Sequence, residues 1–349
     1  MKKQDFIKIQ KQAHKCFKEK KCMYPDHSNC NGGIIRSHTI QKSKALKIIE
    51  EPEGHVYGFV QNNELSSNQV FKVEKISINE ASTFYGFCGF HDNKLFHCVD
   101  DYDFEPTIEQ IFSLTYRTLV HEAYQKAAAV KTRPFINEAV DSIKNDFHRK
   151  NMKLNVESSN LGTEMGAYDS AKNVAAFYYY LQKNDFSKIR YLLIKTKNYS
   201  RVMTSGIMMP DIDYEGNIIN DLPLEANWIA LNIFTDSKNG LILFSWIDNE
   251  KSEKFILSLI TKEDFLNKTL EVAFTNIENI YFSKSWWESL KPIKKSRVIK
   301  MANNIVHYDE YGNYTGLRLN NLKYQELEIE SIYTNSTKLK EISIVKEYS

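Results

Sequence analysis

The chain has 349 residues, 42% hydrophobic, 26% charged and 13% aromatic, with a formal net charge of +2, a composition that suits two or three soluble domains with well-buried cores. No apolar run approaches the ~18 residues needed to cross a bilayer, and the basic N-terminus lacks the apolar core of an export signal, so the expected compartment is cytoplasmic with no membrane partner. Five cysteines, an odd number and all before residue 99, argue against a disulfide framework and for metal-binding thiols in a reducing compartment.

Residues 3–20 read as a basic helix with a loose apolar stripe (Phe6, Ile7, Ile9, Ala13, Phe17). Lysines 8, 11, 15 and 18 recur on it at helical spacing. The first fifty residues hold roughly a dozen Lys and Arg against about four acids, an excess that favours phosphate-bearing partners but also fits a solvated helix face. A turn-rich knuckle over 21–33 is followed by a short strand-like segment, Ile34 to Ile40. Lys44 to Glu50 should form a turn or two of helix, stopped before Pro52. His55–Val60 and Val70–Ile78 read as strands joined by the polar loop Gln61-Asn62-Asn63-Glu64. The acidic loop Asp100-Asp101-Tyr102-Asp103 marks a boundary.

Thr107 and Gln110 resemble a capping box for a helix running to about Val130, with a second helix after Pro134 and a third amphipathic segment over Tyr168–Gln182. From Arg201 the texture turns to buried strands: 202–207, 228–234 and 241–246. The last two are joined through the turn signal Asn239-Gly240. Helical texture returns at 285–303, and the last thirty residues read as strands and a polar tail. The expected fold class is α+β: an N-terminal zinc-stabilised ββα module over 1–105, a helical region over 106–200, and a mixed α/β region over 201–349.

Chemistry concentrates near the N-terminus. Cys22 and Cys30 form one short-range pair of soft ligands, and Cys88-Gly89-Phe90-His91 another. Two such pairs can close a tetrahedral zinc site, and ligands close in sequence lower the ordering cost. The set is not unique, since Cys16, His27, His97 and Cys98 could each replace a member. Elsewhere, His121-Glu122 reads as polar helix surface, and His55 as a strand histidine with a satisfied hydrogen bond. Tyr178-Tyr179-Tyr180 and Trp286-Trp287 read as helix packing rather than base-stacking platforms. Asp211, Asp213 and Glu215 lack the full ligand series of a calcium loop. Without a phosphate-cradling Gly-rich loop or a serine nucleophile elbow, neither an ATPase nor an α/β-hydrolase is supported.

Cys22…Cys30, Ile35-Arg36-Ser37-His38-Thr39-Ile40 and Cys88-x-x-His91-Asp92 together resemble a divergent HNH endonuclease of the zinc-knuckle, ββα-metal type, over roughly residues 15–100. The resemblance implies a structural zinc held by Cys22, Cys30, Cys88 and His91. It implies His38 as general base and Asp92 as the hard ligand of a catalytic Mg²⁺ or Mn²⁺. Arg36, Lys42 and Lys44 would face the DNA backbone. Members of this family commonly serve bacterial restriction or phage defence. The chain departs from the pattern at Ser37, where a carboxylate or histidine often stands, and at His91-Asp92, which replaces Cys-His. It departs again in the roughly fifty residues between His38 and Cys88, and in its middle asparagine, for which Asn79, Asn62 and Asn63 are candidates. A catalytically inactive zinc module in a nucleic-acid- or protein-interaction protein is the alternative. In either case residues 201–349 are left for sensing, specificity, a partner protein or self-association.

Overall fold

The computed structural model describes residues 3–61, 71–221, 226–236, 238–303 and 323–349; the loop candidates Asn62, Asn63 and Glu64, and Val70, lie outside them. From the N-terminus the elements are α1 (Lys3–Cys16), β1 (Ile34–His38), a π-helical turn (Lys42–Leu46), β2 (His55–Gln61), β3 (Phe71–Ser77) and β4 (Thr83–Cys88). Then come α2 (Gly89–Asp100), α3 (Ile108–Lys131), α4 (Arg133–Asp141), α5 (Asp146–Lys183), β5 (Ile189–Thr196), β6 (Val202–Met208), β7 (Ile229–Thr235) and β8 (Gly240–Ile247). The chain continues through α6 (Glu250–Ile260), α7 (Phe265–Asn276), β9 (Ile280–Phe282), α8 (Lys284–Ser289), α9 (Pro292–Asn303), β10 (Ile329–Thr334), α10 (Thr337–Lys340) and α11 (Ser343–Glu347). The fold is α+β, as expected.

These elements form two compact units, each discontinuous in sequence. The first contains Met1–Ser37, Phe84–His97 and Leu119–Asp185; the second contains His38–Thr83, Cys98–Thr118 and Phe186–Ser349. Of the three consecutive regions read from the sequence, 1–105 and 106–200 are each divided between these units, and 201–349 lies wholly within the second. In the first unit β1 pairs with β4 as a two-stranded sheet, and α2 begins at the residue after β4 ends, giving a β-β-α order with β2 and β3 inserted between its strands. Helix α4 packs on α1 and on α5.

Helix α5 is the longest element, 38 residues against the fifteen read from the sequence. Its N-cap is Asn145, whose side chain accepts from the His148 N–H at 3.0 Å. It ends at Asn184, which adopts the left-handed conformation (φ 49°) that closes a helix C-terminus. The sequence reading missed the first half because Met152, Leu154 and Leu161 are exposed there and supply no buried face.

The second unit is built on an eight-stranded sheet in the order β10-β5-β8-β7-β6-β9-β2-β3, antiparallel at every pairing. Strict alternation divides its faces. Leu231, Ile233, Phe244 and Trp246 point into an apolar cluster with Phe255, Ile256, Leu270, Phe274, Phe282 and Trp286. Trp286 stacks on Phe274 (5.8 Å between centroids, 13° between planes), so this tryptophan belongs to the core, as helix packing required. The opposite face carries Ser205, Asn232 and Ser245, which meet a polar stripe on the first half of α3. Thr115 shares a 2.6 Å hydrogen bond with Ser245, and Thr118 donates to Asn232 Oδ1 at 3.1 Å and contacts Ser205 at 3.0 Å. Strand β5 sits between β10 and β8 and was not anticipated, because Arg190, Tyr191 and Lys195 interrupt its apolar run.

Only half of the expected capping box forms at α3. The Gln110 N–H reaches Thr107 Oγ1 at 3.3 Å, but the Gln110 side chain accepts from the Glu105 N–H (2.7 Å) and donates to the Cys98 carbonyl (2.7 Å). The same part of α3 carries Arg117, which is buried and forks onto Asp100 at 2.5 and 3.0 Å. Burial pushes the Asp100 carboxyl up, but the guanidinium, aided by Gln41, outweighs it and holds the group below the usual carboxylate range. Among the described residues no helix is long and apolar enough to cross a membrane.

Candidate metal centre

Residues 21–33 carry no regular secondary structure and are ordered by two kinds of contact. The Lys21 and Met23 N–H groups donate to the carbonyls of Tyr85 (3.1 Å) and Gly86 (2.7 Å), laying this segment along β4. Gly32 and Gly33 then take consecutive positive φ values of 80° and 67°, a turn that side-chain-bearing residues adopt only at a cost. Past this turn Gly33 accepts from the Gly89 N–H (3.0 Å) and Asn31 from the Phe90 N–H (3.2 Å), occupying two donors that the start of α2 cannot satisfy internally.

These contacts bring Cys22, Cys30, Cys88 and His91 together, with all four donor atoms within 4.8 Å of one another, close enough to bind a metal ion. His91 Nδ1 lies 3.6 Å from Cys22 Sγ, 3.6 Å from Cys30 Sγ and 3.3 Å from Cys88 Sγ. A tetrahedral zinc, with Zn–S of about 2.3 Å and Zn–N of about 2.0–2.1 Å, separates its nitrogen and sulfur ligands by roughly 3.6 Å. The donor set therefore fits zinc in chemistry and in spacing.

The local electrostatics agree. Desolvation, followed by the neighbouring Cys22 and Cys88 thiols, pushes Cys30 up to about 12. Cys88 is drawn below its ordinary value; burial opposes this, but hydrogen bonds from the His91 and Asn31 backbone prevail. Burial, and after it the nearby Lys94, lowers the His91 imidazole below its ordinary value, towards the neutral form that ligates. A divalent cation removes the conflict among three crowded thiols by holding each as thiolate. The ring of Tyr24 stacks on His91 (4.1 Å, 26°) and receives the edge of Tyr178 from α5, so the aromatic cluster on α5 helps fix the ligand's orientation.

The alternative ligands lie elsewhere or at the rim. Cys16 Sγ contacts the Lys131 carbonyl at 3.7 Å and Cys98 Sγ the Ser113 hydroxyl at 3.3 Å. His97 is not among the clustered donors. His27 Nδ1 approaches Cys30 Sγ at 3.6 Å. Asp92 sits in the first turn of α2 and is half-buried. It does not belong to the four-donor group, and no second such group occurs among the described residues.

His38 closes β1 and is half-buried. The segment just after it is held by residues that sequence reasoning missed. Thr39 Oγ1 lies 2.6 Å from the Ser82 hydroxyl, the Thr39 N–H donates to the Ser82 carbonyl (2.9 Å), and the Ile40 N–H donates to Ser82 Oγ (3.0 Å). Ser82 is itself buried with φ at 57°, a left-handed conformation uncommon for a residue with a side chain. Its N–H donates to Tyr281 Oη at 2.7 Å, and Asn279 Nδ2 donates to Thr39 Oγ1 at 3.0 Å and to the Ser205 carbonyl at 2.8 Å. No local pattern could have exposed Asn279 or Tyr281 as partners of residues some two hundred positions away.

Among the expected DNA contacts, the Arg36 fork grips Tyr85 Oη (2.9 and 3.2 Å) and lies over its ring, as does Lys20. Lys42 donates to Asn79 Oδ1 at 2.5 Å and Lys44 to the Tyr102 carbonyl at 2.6 Å. His121 corrects the sequence reading. It is 7% exposed, packs against the edge of Phe84, and is driven by burial to a pKa of about 4, so it is a neutral core residue. The Asp213 carboxylate is taken up by its own loop, accepting from the Glu215 and Asn217 N–H groups and the Asn217 side chain.

No family model matches the sequence, and no curated protein or solved structure matches it either. The class these observations define is an α+β protein with a Cys₃His metal-type cluster in its first unit.

Proposed function

We propose that the protein is a metal-dependent, HNH-like endonuclease that hydrolyses phosphodiester bonds in DNA. The observation that supports this reading is the Cys₃His cluster in a β-β-α arrangement whose first strand ends in His38 and whose helix carries His91-Asp92 in its first turn. The cluster would hold a structural zinc. In the reaction, the His38 imidazole would take a proton from the attacking water. The Asp92 carboxylate would hold the catalytic Mg²⁺ or Mn²⁺, an ion that commonly binds through one or two carboxylates together with substrate phosphate and water. Such an ion supplies charge stabilisation to the scissile phosphate and the leaving oxygen. Arg36 and the exposed lysines 8, 11, 15, 18, 20 and 21 of the first unit neutralise the DNA backbone, with Lys42 and Lys44 as further cations.

Ser37 favours a second reading. It leaves the catalytic ion one carboxylate or imidazole short of the pattern the nuclease reading invokes, as an inactive zinc module in an interaction protein would. Incubating the zinc-loaded protein with plasmid DNA and Mg²⁺ or Mn²⁺ separates the two. Cleavage that disappears in His38→Ala and Asp92→Ala, with zinc content unchanged, supports the nuclease. Retained zinc without cleavage in the wild-type protein supports the interaction module.

A further inference from the structure

Of the six large apolar side chains that α5 leaves exposed, Met152 and Tyr179 stand apart, and the four most exposed are Phe147 (70%), Leu154 (64%), Leu161 (61%) and Tyr168 (72%). Each follows the last by seven residues, and Ala175, also exposed, extends the series. A strict seven-residue apolar repeat keeps one stripe facing a supercoiled helical partner. The buried residues of α5 are Asn160, Ser170, Val174 and Phe177, all from its fifteenth residue onward. Its first fourteen residues have no buried side chain, although isolated helices of about that length are marginal in water.

We infer that this stripe is a self-association seam, along which α5 of one copy of this chain pairs antiparallel with α5 of a second. The flanking charges select both occupant and direction. Beside the stripe, Lys150 precedes Glu157 and Glu164 at the same seven-residue spacing. A two-fold axis through the midpoint of Leu154 and Leu161 sets Leu154 of one copy against Leu161 of the other and Phe147 against Tyr168. It also places Lys150 beside Glu164. Glu164 holds Arg133 within its own chain yet keeps 47% of its side chain exposed. The two Lys150–Glu164 pairs flank a single Glu157–Glu157 contact at the axis, whereas parallel pairing would set like on like at all three positions, Lys150, Glu157 and Glu164. Counting the eight apolar side chains alone, the seam covers on the order of 1,000 Å², at the threshold of a specific interface. This assignment does not depend on the nuclease reading.

Sedimentation equilibrium of the full chain tests it. The wild-type protein is expected at twice the chain mass. Leu154→Glu combined with Leu161→Glu is expected at the chain mass, with an unchanged circular dichroism spectrum because both positions are exposed. A wild-type monomer at every concentration would overturn the assignment. So would a folded double variant that stays dimeric, which would move the contact to another surface such as the C-terminal region. Direction is read from disulfide trapping of the zinc-loaded protein. A mixture of Phe147→Cys and Tyr168→Cys proteins is expected to cross-link, while Phe147→Cys alone does not; efficient self-linking of Phe147→Cys would overturn the antiparallel arrangement.

Discussion

Each of the two units draws its internal order from different physics. In the second, an eight-stranded sheet buries Leu231, Ile233, Phe244, Trp246 and their neighbours against α6, α7 and α9, and stability is spread over dozens of apolar contacts, each of modest worth. In the first, residues 21–33 have no regular structure and contribute only Cys22 and Tyr24 as buried apolar side chains. Their order depends on four donor atoms and a few backbone hydrogen bonds. A sheet core tolerates the loss of one side chain gradually, whereas a four-ligand site fails at once. That contrast can be tested by attacking each unit in turn.

Metal removal should have the largest effect. Structural zinc is worth about 10–16 kcal/mol in small zinc-dependent folds, so a chelator, or Cys88→Ser, is expected to unravel residues 21–33. Hydrogen exchange should then show protection lost around Cys22–Gly33 and kept in β5–β8; retained protection at 21–33 after verified zinc loss would break the contrast. In the second unit, Arg117→Ala leaves the Asp100 carboxylate without its guanidinium partner and should cost about 3 kcal/mol in urea unfolding. Asp100 keeps part of its surface in water, which places the effect at the lower end for a buried pair.

A pH effect of similar size is expected at Glu271. This carboxyl is 1% exposed and burial raises it to about 7 from an ordinary 4.5, despite a hydrogen bond from Tyr324 Oη at 3.1 Å. Because the folded state binds the proton more tightly, the stabilisation is complete below about pH 4.5 and is lost as pH rises through about 7, amounting to roughly 3 kcal/mol. Unfolding of the wild-type protein at pH 5 and pH 8, beside Glu271→Gln, should show a decline that the variant lacks. The smallest effect is expected at Ser82. Glycine tolerates its positive φ, so Ser82→Gly removes the hydroxyl without straining the backbone. The loss of the Thr39 and Ile40 contacts should cost about 1–2 kcal/mol. If His38 acts as proposed, cleavage should fall by more than that stability loss explains, measured as kcat under saturating DNA.

Legibility in the sequence followed the same division. The metal ligands were readable because each pair is local: Cys88 and His91 are three residues apart, and Cys22 and Cys30 eight. Strands β6, β7 and β8 were readable from unbroken apolar runs. What escaped was set by distant partners. Arg117, His121, Thr115 and Thr118 give α3 a polar appearance in sequence, yet all four are buried, because the sheet answers Thr115 and Thr118 with Ser205, Asn232 and Ser245, Asp100 answers Arg117, and Phe84 shields His121. The converse holds on α5, where exposed Phe147 and Leu154 carry a repeat that reads as a core face only once a partner is supplied. Asn279 beside Thr39 could not be found from sequence, since no spacing rule links positions 240 residues apart.

The excursion between β1 and β4 limits how this protein can be cut apart. Strands β2 and β3 leave the β-β-α unit to become the edge of the large sheet, where β2 pairs with β9 through Tyr57 and Gly58. A fragment ending near residue 105 would carry those strands away from β9 and leave them with nothing to lie against. It would also strip the remainder of two of its eight strands. Recombinant truncations at that point should therefore aggregate on both sides of the cut, and functional dissection is better served by point substitutions in the intact chain.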